Sequence, residues 1–120
     1  MFGWFRRRAK GLQPEAQWVV EVGPERIQVT DAAGGATALV IADLAAVAIE
    51  TNDTGPWGAD VWWLLFGADE RLACAFPQGA TGEGVVIDYL VALPGFDHEQ
   101  MTNAMRSTSN AVFPVWRKAT

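Results

Sequence analysis

From Asp60 to Gly67 the chain reads Asp-Val-Trp-Trp-Leu-Leu-Phe-Gly, and this stretch sets the terms for the fold. Val61, Trp63 and Leu65 alternate with Trp62, Leu64 and Phe66, so a strand here is apolar on both faces. Such a strand is stable only when both faces are covered, which predicts a central position in a sheet. Just before it, residues 51–60 hold Asn52, Asp53, Gly55, Pro56 and Gly58, which interrupt regular structure and predict a loop.

Strand signals lead up to that loop. Trp18, Val20 and Val22 alternate in Gln17–Val22, and Ile27 and Val29 in Arg26–Thr30. Gly23-Pro24-Glu25 joins the two as a hairpin, and residues 31–35 form the next turn. Residues 36–50 are rich in alanine, which suits a helix. They also carry β-branched Thr37, Val40, Ile41, Val47 and Ile49, which favour strands. The reading adopted is two strands, 37–41 and 46–51, with Asp43-Leu44 in the bend.

After the central strand, Gly67–Glu70 turns the chain into a strand over 71–76, ended by Pro77. An amphipathic helix follows over about 82–93, with Val86, Leu90 and Leu93 on one stripe and Pro94-Gly95 as its stop. Asp97 then suits the N-cap of a second helix, with Gln100 at N3 and a staple between Phe96 and Met101. Residues 111–116 form the last strand, and Pro114 assigns it to a sheet edge. Strands precede helices instead of alternating with them, which predicts an α+β fold. The expected architecture is a curved antiparallel meander of about six or seven short strands, two consecutive helices and a final edge strand. Its order is similar to pleckstrin-homology-like half-barrels, which end on their helix where this chain adds a strand. Residues 1–15 read as a tail and 16–120 as one domain.

Charge divides along the same line. Arg6, Arg7, Arg8 and Lys10 stand in the first ten residues without an acid, leaving five cations against fourteen acids in the rest, a net of −9. A body this acidic repels phosphates and speaks against nucleic-acid binding. It suits a protein partner with a basic surface. Phe2, Trp4 and Phe5 followed by Arg6, Arg7 and Arg8 have the composition of a membrane-surface anchor; the competing reading is a solvated terminus. The residues after these arginines are polar, unlike the apolar core of a signal peptide. With Cys74 as the single cysteine, the chain can make no disulfide within itself, and a cytoplasmic location is expected.

Few residues suggest catalysis. His98 is the sole histidine, and with one cysteine it falls short of a zinc set, so no metal or cofactor is expected. Cys74 alternates with Leu72 and Phe76 and reads as a buried structural thiol. Ser107 and Ser109 are the only serines, and neither lies in a nucleophile elbow. Gly79-Ala80-Thr81-Gly82-Glu83-Gly84 precedes a helix as phosphate-cradling loops do, but it lacks their spacing and their lysine. Asp53 and Asp60 flank the turn-rich loop, where acids more often cap turns than share chemistry. Gly55-Pro56 pre-shapes that loop and Trp57 stands near its tip, so Asp53, Gly55, Pro56, Trp57 and Asp60 form the candidate partner-binding set.

Four stretches carry a resemblance: Thr51-x-Asp53-x-Gly55-Pro56, Asp60-Val61-Trp62-Trp63-x-Leu65, Leu93-Pro94-Gly95-Phe96-Asp97 and Phe113-x-Val115-Trp116. Together they resemble a group of small uncharacterised bacterial proteins over roughly residues 17–116. The resemblance implies no activity and no site residues. The leading expectation is therefore a small protein-binding module, in its narrowest form an immunity-like protein that plugs a basic toxin. Two alternatives remain: an enzyme using Asp53 and Asp60 in a Trp-lined pocket, and a peripheral membrane protein held by its tail.

Overall fold

The computed structural model describes residues 17–52 and 60–119. Within them the chain forms β1 (Val19–Val22), β2 (Arg26–Thr30), β3 (Ala36–Val40), β4 (Ala46–Asn52), β5 (Asp60–Phe66) and β6 (Leu72–Pro77). Two helices follow, α1 (Glu83–Val91) and α2 (His98–Arg106), and then β7 (Ala111–Arg117). The fold is α+β, with the two helices consecutive and the last strand at an edge. The expected tail, with Phe2, Trp4, Phe5, Arg6, Arg7 and Arg8, lies outside the described residues.

The strands divide into two open sheets, ordered β1-β2-β3 and β6-β5-β4-β7. The break falls in the segment that sequence left ambiguous. Ile41–Asp43 forms one 3₁₀ turn between β3 and β4, closed by the Leu44 N–H donating to the Ile41 carbonyl. That turn lets β4 leave the first sheet and start the second. Every pairing between these strands is antiparallel. One isolated parallel bridge joins Val19 to Thr81 and ties β1 to the chain two residues before α1.

In the first sheet one face is apolar. Val20, Ile27, Val29 and Leu39 are buried, while Glu21, Arg26, Ala36 and Val40 point to solvent. In the second sheet β5 lies between β4 and β6, as its two apolar faces require. Cross-strand register puts Val47, Ile49, Trp63, Leu65, Cys74 and Phe76 on the inner face. Trp63 and Phe76 are directly opposed and stack with centroids 6.3 Å apart. β2 and β3 pack against β6, α1 against β1, and α2 against β7 and β4. The inner faces and helices thus share one core, to which α1 contributes Val86 and Leu90 and α2 contributes Ala104.

Helix boundaries follow from local chemistry. Gly82 at the N-cap of α1 has φ +86, and a Cβ there would run into the Val20 carbonyl oxygen. Glycine alone allows β1 and the start of α1 to approach this closely. α1 stops at Val91, short of Leu93, because the chain turns before Pro94. α2 starts as its sequence predicts, with the Asp97 carboxylate accepting the Gln100 N–H at 2.9 Å. Thr51 on β4 donates its hydroxyl to the Ser109 carbonyl at 2.7 Å and fixes the loop that leads into β7.

Candidate docking groove

Four of the candidate residues, Asp53, Gly55, Pro56 and Trp57, lie outside the described residues. Asp60 opens β5 opposite Asn52, and its side chain is likewise outside the description. The two reactive candidates stand in unreactive settings. Cys74 is buried, and burial pushes its thiol above its ordinary pKa, against a smaller lowering by a hydrogen bond with Thr37. The nucleophilic thiolate is therefore disfavoured. His98 is exposed at the start of α2, its ring edge-on to Phe96 at 4.9 Å. The glycine loop before α1 serves its own helix. The Gly79 N–H that could meet a phosphate donates to the Glu83 carboxylate at 2.8 Å.

A different surface is built as a site. On the outer face of the second sheet, an open groove of about 460 Å³ lies over the Ala46–Ala48 end of β4. Two irregularities flank it. Between Val47 and Ala48 the pairing with β7 slips, leaving Val115 as an extra residue. Between Leu65 and Phe66 the pairing with β6 slips, leaving Ala73 extra. Bulges bend and twist a strand. Here one lies on each side of the β4–β5 pair, at the same level of the sheet.

Small side chains keep the floor low. Ala46 and Ala48 share the outer face with Phe66, and Ala46 is directly opposite Phe66. Pro114 pairs with Ala48 and Val112 with Glu50, and both are exposed. Val112 is 42% exposed, one of the few large apolar side chains on the described surface. Pro114 also denies β7 an N–H at this edge strand, which discourages indiscriminate strand pairing there. Beyond the groove the same face closes over: Glu50, Asn52 and Trp62 are buried, and Trp18 meets Trp62 edge-on at 5.2 Å.

Glu70, Asp97 and Arg117 are the charged residues that line the groove. Glu70 has φ +64, the one positive φ on a non-glycine residue among those described. A glycine or asparagine would fit that turn with less strain. Glutamate held there is a reason to look for a use of its carboxylate. The β-branched residues of 46–51 predict the strand that β4 forms, but nothing in the sequence marks its alanine face as the floor of a groove. Nothing in the sequence marked the two bulges.

Comparison with protein-family models, curated proteins and solved structures found no match in any of the three. Among the described residues, no helix is long and apolar enough to cross a membrane.

Proposed function

We propose that this chain is a protein-binding module that acts through its surface and selects partners with a basic face. The observation that carries this reading is the placement of charge. Glu21, Glu25, Asp43, Asp69, Glu70, Asp88, Asp97 and Glu99 are all exposed, against Arg26, Arg71, Arg106, Arg117 and Lys118. These acids are spread over β1, the turns and both helices, as suits long-range steering of a cationic partner. Such association is fast at low salt and weakens as salt rises through the screening range.

Immobilised full-length protein, exposed to a lysate of its source cell, tests the reading. The expected result is retention of a defined set of basic proteins, released between about 0.1 and 0.5 M salt. A variant with Glu21, Glu25, Asp88 and Glu99 changed to the corresponding amides should retain much less. Equal retention by wild type and the amide variant would overturn the assignment.

A further inference from the structure

We infer that the groove over Ala46 and Ala48 is the contact surface of a symmetric dimer, occupied by the same groove of a second copy. This goes beyond the basic-partner reading and does not depend on it.

A two-fold contact needs a patch complementary to itself. The groove has that property in shape. Ala46 and Phe66 are cross-strand neighbours on one face, a small side chain beside a large one. Place a two-fold axis in the interface, parallel to β4 and β5 and running between them. Each Phe66 then lies over the partner's Ala46, and bulk fills the space the alanine leaves.

Charge has the same symmetry. Arg117 sits on β7 directly opposite Ala46, and Glu70 follows Phe66 in the turn leading to β6. The two therefore stand on opposite sides of the Ala46–Phe66 pair. The same axis sets each Arg117 against the partner's Glu70. Both side chains are exposed, and neither has an ion-pair partner among the described residues. Elsewhere the acidic body repels its own copy. At this end of the sheet Arg71, Arg117 and Lys118 are interspersed with Asp69, Glu70 and Asp97, so charges of both signs meet the second copy here. The strained backbone at Glu70 also gains a purpose, because the turn keeps a carboxylate at this rim.

The groove alone is a small contact, which points to a weak dimer with Kd of roughly 10 μM to 1 mM. Sedimentation equilibrium of the full chain from about 10 μM to 1 mM is the test. Wild type should pass from monomer to dimer across that range. Glu70→Arg and Arg117→Glu should each weaken the dimer about tenfold or more, since symmetry counts each reversal twice. Mixing the two variants should restore wild-type association, because the mixed dimer regains two opposite-charge pairs. Both residues are exposed, and thermal melts verify that the variants remain folded. Ala46→Leu, which fills the space for Phe66, supplies an uncharged third variant and should also weaken association. A wild type that stays monomeric throughout would overturn the inference. So would a dimer indifferent to both reversals, or one that the mixture fails to restore.

Discussion

Three side chains carry most of the physics at the residue scale. Trp63 is 1% exposed, and its indole N–H finds no hydrogen-bond partner among the described residues. An unpaired buried donor costs about 1–3 kcal/mol, which offsets part of what the ring's burial contributes. Trp63→Ala should therefore cost ~3–5 kcal/mol, while Trp63→Phe should cost less than about 1.5 kcal/mol by shedding the N–H with the smaller ring. Urea melts of both variants check this, and similar large losses would mean the N–H is satisfied. For Glu70 the left-handed backbone predicts the opposite sign. Glu70→Gly should stabilise the monomer by about 0.5–1 kcal/mol while weakening association, a separation that simple strain relief would not produce. For Cys74, burial raises the folded-state pKa above the unfolded value. Its contribution to stability is thus complete below the unfolded thiol pKa and is lost as pH rises through the folded one. At neutral pH a disulfide reagent should label Cys74 only as fast as the core opens, and immediate labelling of native protein would contradict this burial.

Two joints set the geometry at the element scale. Gly82 lets the chain pass β1 at the Val20 carbonyl and enter α1, so Gly82→Ala should destabilise by about 2–4 kcal/mol through both clash and positive φ. Thr51→Val, nearly isosteric, removes the hydroxyl that holds the Ser109 carbonyl and should cost about 1–2 kcal/mol in a thermal melt. Much of this scale was legible in sequence. The two-faced apolarity of residues 61–66 put β5 inside its sheet, Pro114 put β7 at an edge, and Asp97 with Gln100 marked the start of α2. Those signals are local and chemical, so they survive folding unchanged. The division into two sheets was not legible, because a 3₁₀ turn of Ile41-Ala42-Asp43 has no strong turn residue except its aspartate. The groove was not legible either. A bulge is a property of the register between two strands distant in sequence, and neither Val115 nor Ala73 differs from a normal strand residue.

For the whole molecule, one shared core holds the inner faces of both sheets, and function is assigned to what lies outside it. Acidic side chains spread over the turns and helices set the long-range field, while the groove joins an apolar floor to charges of both signs, Glu70, Asp97 and Arg117, at one end of the second sheet. A dimer formed there leaves the Glu21, Glu25 and Asp88 surfaces facing outward twice over, so that two basic sites on one partner are held more tightly than one. The most direct measurement is a dilution series of the ¹⁵N-labelled full chain followed by amide chemical shifts, from about 1 mM to 20 μM. The account predicts concentration-dependent shifts at Ala46, Ala48, Phe66, Glu70, Val112 and Arg117, with the outer face of β1-β2-β3 unchanged. Shifts confined to that outer face, or absent altogether, would contradict it.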